Sequence, residues 1–247
     1  FENLDIHLGH PILLSLPAFY DKIIRRRRGG FCYELNGLFG WLLEFLGFSV
    51  KIVSARVLKG TQQGPEFDHL VLLVKMETTF VVDVGFGDSF VEPIRLDAAG
   101  RSIQCGDAFR VEEGSDSEWV LHRRREREWE PQYVFSLVPR GLSDFSAMCR
   151  HHQIARTSPF TQKTVCSLAT PAGRITVSNN RLITADGKRR EEREISDQEE
   201  YLRILKSHFG IELGEGENAG TLMKPALSRK SPFKHLRVSD IRGAAQM

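Results

Sequence analysis

The 247-residue sequence is poor in cysteine. It has four, Cys32, Cys105, Cys149 and Cys166, widely spaced and without a C-x-x-C pair. That pattern excludes a disulfide framework and gives no sign of a zinc-thiolate site; it suits a reduced, cytoplasmic protein. Long hydrophobic runs are missing as well. No stretch approaches the roughly 18 apolar residues of a membrane span, and no basic-then-apolar leader precedes a small-residue cleavage site. Charge of one sign is not in excess: 34 Lys and Arg against 32 Asp and Glu leave +2. A balance so near zero offers no electrostatic case for nucleic acid as the main partner. Internal repeats are absent. What is present is a 41% hydrophobic chain, too apolar for disorder and long enough for one large domain or two to three small ones.

The apolar pattern changes along the chain. Leu16, Phe19, Tyr20 and Ile23 have helical spacing, followed by Arg25 to Arg28 and a Gly29-Gly30 break. Residues 34–46 form the clearest helix, with Leu35, Leu38, Phe39, Leu42 and Leu46 on one stripe and Gly47 as its stop. Residues 48–58, 69–76 and 79–84 are rich in Val, Ile, Leu and Phe and read as strands, with Glu77-Thr78 as a hairpin turn. Further strands are expected at 109–112, 118–121 and 133–137, then 165–170, 174–178 and 181–184. Ser196 with Glu199 looks like a capping box ahead of a helix that ends at Gly210. Helices, then many short strands, then a small mixed unit make an α+β pattern. From Gly214 the character shifts: 13 of 34 residues are Gly, Ser, Ala or Pro, with six basic residues against three acidic. This reads as a flexible or loosely docked extension.

Cys32 is the chemical focus. It sits in RGGFCYELNG, at the start of the best helix. A thiol there faces the positive end of the helix dipole and free N–H groups, which favour thiolate; a small buried apolar cysteine is the plainer alternative. A nucleophilic cysteine wants an imidazole base and a carboxylate to orient it. His69 opens a strand, and Asp83 lies in an otherwise apolar run, where a carboxylate without partners is costly. The two are 14 positions apart, so a hairpin register that pairs residues of like parity puts both on one face. Taken singly, His69 reads equally well as a strand-end histidine and Asp83 as a structural carboxylate.

Several segments resemble the arylamine N-acetyltransferases: FENLDIHLG at the start, RGGFCYELNGLF, DHLVLLV, VVDVGFGDSF, TSPF at 157–160 and residues 191–213. The resemblance runs from residue 1 to about 213. It implies an N-terminal helical bundle, a central antiparallel β-barrel and a C-terminal α/β lid, here placed at 1–47, 48–145 and 146–213 with the extension at 214–247. The family carries a helical segment ahead of FENLD that this sequence does not show, so the bundle reads as truncated. The resemblance also implies a Cys–His–Asp triad, which falls on Cys32, His69 and Asp83, and ping-pong acetyl transfer from acetyl-CoA to an arylamine, arylhydrazine or N-hydroxyarylamine. No permanently bound cofactor and no metal are expected. Gly85, Phe86 and Gly87 form a glycine turn that either meets the CoA pyrophosphate or simply leaves the strand. Phe31, Phe67 and Phe86 each adjoin a triad member and either wall an aromatic slot or belong to the core. Arg28 is expected to bond carbonyls or a carboxylate near the loop, and Gly29, Gly30 and Asn36 to support the site structurally. The same triad also serves hydrolases and amide synthases, in which water or an internal amine resolves the acyl-enzyme, and a non-catalytic binding protein on the same scaffold is a third reading. The mixed-charge runs at 123–128 and 188–194 read as solvated, and the adjacent His151 and His152 match no usual metal motif.

Overall fold

The structure is a computed structural model that describes residues 1–60, 62–97, 101–104, 106–125, 127–187, 189–214 and 216–223. Helices α1 (Leu4–Leu8) and α2 (Leu16–Tyr20) open the chain, and a π-turn over Asp21–Arg25 continues α2. Helix α3 (Cys32–Phe45) follows. It starts at Cys32 rather than at residue 34 because Glu34, at its third position, reaches back to accept the Phe31 N–H at 3.1 Å.

A large antiparallel sheet comes next: β1 (Ser49–Lys59), β2 (Gln62–Gln63), β3 (His69–Lys75), β4 (Thr79–Val82), β5 (Ile94–Arg95), β6 (Ser102–Gln104), β7 (Asp107–Glu113), β8 (Glu118–Arg125) and β9 (Glu128–Pro139). Its order is β5-β4-β3-β1-β9-β8-β7-β6, with β2 beside β1, and β5 comes round to touch β7. The sheet is thus the nearly closed barrel that the sequence leads one to expect. Val53, Val71, Leu73, Val81, Phe109, Leu121 and Phe135 fill its interior. Strand β3 is covered on both faces: Val71 and Leu73 point into the barrel, while Leu70, Leu72 and Val74 meet the helical layer. This double burial explains its unbroken apolar run.

Helix α3 buries only the first part of the leucine stripe predicted for it: Leu38 is buried and Phe39 packs on the helical core, but the stripe does not continue inward. Leu42 and Leu46 are exposed, whereas Cys32, Tyr33, Asn36, Gly37 and Gly40 face inward. The two glycines let the helix lie close against its neighbours: a Cβ on Gly37 would stand 2.8 Å from the Phe19 ring, and one on Gly40 3.1 Å from Leu72. Small residues therefore set the packing, and periodicity of large ones misleads.

After β9 come a 3-10 turn at Leu142–Phe145, α4 (Ser146–Ile154) and α5 (Pro159–Gln162). Phe145 and Cys149, on either side of the expected boundary at 145/146, share the helical core with Phe31, Tyr33 and Leu70. A four-stranded meander follows, β10 (Val165–Thr170), β11 (Gly173–Ser178), β12 (Arg181–Asp186) and β13 (Arg189–Glu194), then α6 (Gln198–Phe209). Strand β13 was read as a solvated charge run; it is exposed throughout yet paired to β12 as an edge strand. The helix cap sits one residue later than predicted: Asp197 accepts the Glu200 N–H at 2.8 Å, and Glu200 reaches back to Ser196 N at 2.7 Å. Gly210, at φ +67°, ends α6 as expected.

The segment from Gly214 begins docked. Ala219–Thr221 form a 3-10 turn, and Leu222 is fully buried with Leu4, Tyr201, Leu205 and Ile211. Residues 224–247 of the expected extension lie outside the described residues, as does Cys105. Among the described residues, no helix is long and apolar enough to cross a membrane, and no three His, Cys, Asp or Glu side chains converge as a metal site.

Candidate active site

Cys32 is the first residue of α3, and its side chain is buried. His69 is the first residue of β3, paired with Ala55 of β1. Asp83 lies one residue beyond β4 rather than within a strand. The register between β3 and β4, Leu72 with Val82 and Leu73 with Val81, pairs residues of like parity. His69 and Asp83 consequently face the same side, and their side chains meet: His69 Nε2 is 2.7 Å from Asp83 Oδ2.

The rest of the Asp83 carboxylate is also occupied. Its Oδ1 accepts from Asn36 Nδ2 at 2.8 Å and from the Gly85 N–H at 2.9 Å. Asn36 is one helical turn after Cys32. The same amide donates to the Leu70 carbonyl at 2.6 Å and accepts the Val84 N–H at 2.8 Å. It therefore ties the cysteine-bearing helix to both strand ends that carry His69 and Asp83. Burial alone would push the Asp83 carboxyl up, but the imidazole, the amide and the Gly85 N–H together hold it below the ordinary carboxylate range.

The helix start led one to expect a lowered Cys32 pKa. Burial works the other way and pushes the thiol up, aided by the negative charges of Asp83 and Asp68 and opposed by a backbone hydrogen bond from Leu70. A thiolate here needs a cation beside it, and an imidazolium at His69 is the group of the right kind. Tyr133 of β9, which nothing in the sequence marked, completes the surroundings. Its ring lies 5.3 Å from the His69 ring and 5.2 Å from Phe86, and burial together with the Asp83 charge raises its phenol pKa.

The remaining expected residues divide. Gly85 abuts the Cys32 backbone, where a Cβ would stand 2.7 Å from Cys32 Cα. Phe86 packs edge-on against His69 at 5.1 Å, and with Gly87 it lines a cleft of about 1120 Å³ between barrel and lid. Phe31 is fully buried, enclosed edge-on by Tyr33 and Phe160, and so belongs to the core. Phe67 is half-buried and held at φ +65°, with its carbonyl accepting from the Tyr33 hydroxyl at 2.8 Å.

Arg28 bonds carboxylates, Glu2 at 2.9 Å and Asp5 at 2.9 Å. Lys22 joins them, 2.8 Å from Asp5 and 2.9 Å from Glu34. Gly29 and Gly30 pass so close to Glu2 and Glu34 that a Cβ would come within 2.7 and 2.8 Å of those side chains. Two buried cations thus face three carboxylates. Burial raises the pKa of the Glu34 carboxyl to about 7.

The cleft collects arginines from both sides, Arg123, Arg124 and Arg127 from the barrel and Arg174, Arg189 and Arg190 from the lid. Arg123 is not solvated as its mixed-charge run suggested. It is buried, with Asp107 on one side and Asp88 at 3.2 Å on the other. Asp88 also meets Arg174 at 3.1 Å, which links barrel to lid.

A barrel beside a helical layer, an α/β lid and an imidazole–carboxylate pair near a helix-start cysteine are compatible with an acyltransferase of the N-acetyltransferase class. The sequence model of that family, described as N-acetyltransferase, matches residues 1–218. The chain belongs to this family, and within it to the arylamine N-acetyltransferases. It is 35% identical to the arylamine N-acetyltransferase pineal gland isozyme NAT-3 of Gallus gallus, over 70% of this chain and 67% of that protein. It is 31% identical to arylamine N-acetyltransferase 1 of Homo sapiens, over 86% of this chain and 82% of that protein. Among solved structures, the arylamine N-acetyltransferase of Mycobacterium marinum in complex with CoA superposes with a TM-score of 0.82 at 28% identity, covering 90% of this chain and 85% of that one.

Proposed function

We propose that the protein acetylates the nitrogen of an arylamine, arylhydrazine or N-hydroxyarylamine in two half-reactions through an acetyl group carried on Cys32. The observation that carries this reading is the His69–Asp83 contact, tied through Asn36 to the helix that begins at Cys32. In the first half-reaction His69 takes the thiol proton as Cys32 Sγ attacks the thioester carbonyl of acetyl-CoA. The C–S bond to CoA breaks, and the proton on His69 passes to the departing CoA thiolate. In the second, the amine nitrogen attacks the acetyl carbon, His69 accepts the amine proton, and the Cys32 thiolate leaves. Asp83 keeps the Nε2 proton of His69 in place and favours the imidazolium in both.

The helical part thus supplies the nucleophile and the barrel supplies the base and its carboxylate. The arginine-rich cleft between barrel and lid suits the phosphates of the donor, and Phe86 and Gly87 are part of its lining. Phe67 and Phe86, beside and against His69, suit a flat aromatic acceptor. A boundary near residue 47 suits this division of roles, whereas Cys149 beyond 145 returns to the helical core and Leu222 beyond 213 packs in the core of the lid. The test is to mix the protein with acetyl-CoA alone and weigh it. One acetyl group on Cys32, discharged by an aniline or hydrazine faster than by water, is the expected result. No acetyl adduct refutes the reading, and discharge by water at the same rate with or without amine replaces it with a hydrolase.

A further inference from the structure

The adjacent histidines of α4 have different surroundings. His152 is buried, its ring 4.9 Å from Phe160 edge-on and 6.2 Å from Tyr33, nearly parallel to it. Its Nε2 is 3.2 Å from Asp68 Oδ1. The two atoms are close without forming an aligned hydrogen bond. Its Nδ1 is 3.1 Å from the buried Ser158 hydroxyl. Serine, histidine and aspartate in a row suggest a second nucleophile, but Ser158 is fully engaged: its oxygen accepts the Phe160 N–H at 3.2 Å and is 3.3 Å from the His152 carbonyl. It is a helix cap, and its hydroxyl can serve either as donor to or acceptor from Nδ1.

Asp68 immediately precedes His69. Its backbone carbonyl and that of Phe67 receive the Tyr33 hydroxyl, at 3.4 and 2.8 Å. Tyr33 in turn follows Cys32 in the chain and lies against His152. One histidine therefore touches the residue next to the nucleophile and the residue next to the base. We infer that His152 and Asp68 form an accessory imidazole–carboxylate pair that positions His69 and compensates the negative charge close to Cys32. This rests on the reading of Cys32 and His69 given above; His152 reaches no reacting atom and is a positioning residue. The direction of the electrostatics agrees, since the Asp68 charge raises the Cys32 and Tyr33 pKa values, and an imidazole held on that carboxylate reduces the penalty. The groups facing His152 are Asp68 from the loop before β3, Tyr33 from α3, Ser158 and Phe160 beside α5, and His151 on its own helix with rings 5.7 Å apart.

The experiment is a double-mutant cycle on the full chain, read as the pH midpoint of Cys32 alkylation by iodoacetamide, resolved by peptide mass spectrometry. His152→Phe leaves Asp68 uncompensated and should raise the midpoint by about half to one pH unit. Asp68→Asn should lower it. In the Asp68→Asn background, His152→Phe should no longer move it. If His152→Phe does not fold, His152→Gln, a neutral donor, should give a smaller rise with the same dependence on Asp68. An unmoved midpoint in a folded variant, or the same shift in both backgrounds, overturns the inference. Alkylation needs no acetyl-CoA, so the outcome is separate from the acetylation test: failure of the parent to take an acetyl group refutes the proposed function, whereas acetylation without coupling in the cycle refutes this inference alone.

Discussion

Gly85→Ala is a single methyl group placed against Cys32. The added Cβ would stand 2.7 Å from Cys32 Cα, 3.0 Å from Cys32 O and 2.8 Å from Asn36 Nδ2. Two of these three neighbours are backbone, and the third is an amide already committed to Leu70 O and Asp83. None can swing aside. To reach an ordinary contact of 3.4 Å, the start of α3 and the loop after β4 must separate by about 0.7 Å, a strain of about 1–3 kcal/mol for a packed site. For a domain of this size that lowers the melting temperature by roughly 2–4 °C per kcal/mol. The shift also moves Cys32 away from the His69–Asp83 pair, because the Gly85 N–H is bonded to Asp83. A displacement approaching 1 Å costs on the order of a hundredfold in rate, so acetylation should slow by about 10- to 100-fold. Single-turnover acetylation by acetyl-CoA, read by intact mass, and a thermal melt measure the two effects. Gly47→Ala is the control: its φ is +92° and nothing lies within 4 Å, so it should cost about 1 kcal/mol of backbone strain and leave the acetylation rate alone. Parental rate and melting temperature in Gly85→Ala would refute the argument that this glycine sets the spacing of the site.

Three further outcomes are expected. Asp83→Asn should slow acetylation of Cys32 by up to about 10⁴-fold, since an amide leaves the wrong tautomer on His69; a variant that loses only affinity for acetyl-CoA would take Asp83 out of the triad. Near pH 6, iodoacetamide should label Cys32 well before Cys149, whose thiol burial pushes up to about 12, or Cys166, whose thiol burial also pushes up; equal rates for the three would contradict an activated Cys32. Burial raises Glu34 from 4.5 to about 7, so the folded chain holds that proton more tightly than the unfolded chain. The resulting stability is present below pH 4.5 and is lost as pH rises to 7; the parent should therefore lose stability relative to Glu34→Gln across that range in urea titrations, and a pH-independent difference would contradict the reading.

How much of this was legible in the sequence depended on whether a residue's partners were local. Cys32 announced itself through the glycines before it and the helix after it, and His69 and Asp83 through strand parity. Asn36, one turn beyond Cys32, stood in a quoted motif, but its bonds to Leu70 and Asp83 cross 34 and 47 residues. Tyr133 gave no sign, being one aromatic in an ordinary strand, and its place beside His69 comes from the pairing of β1 with β9. Periodicity misled at α3 because Gly37 and Gly40 face inward while Leu42 and Leu46 do not. It was silent at β13, an edge strand exposed along its length whose charges carry no alternation to read. Arg123 was hidden for a related reason: a run of mixed charges does not show which member turns inward to meet Asp88 and Asp107.

Asp83 shows why the chemistry and the cohesion of the fold are hard to separate here. Its carboxylate takes one partner from β3 (His69), one from α3 (Asn36) and one from its own loop (Gly85). A buried charge with three partners is stable only while all are present, because each loss exposes a desolvation cost larger than the bond itself. The atoms that would orient the base are therefore the atoms that fasten α3 to the barrel. Loss of activity in a variant at this point has two causes, a misdirected imidazole or a loosened helix. Either slows alkylation of Cys32 together with acetylation, because the thiolate depends on that imidazole; only the second also lowers the melting temperature. That is the physical reason for reading alkylation, acetylation and stability side by side on every variant of this site.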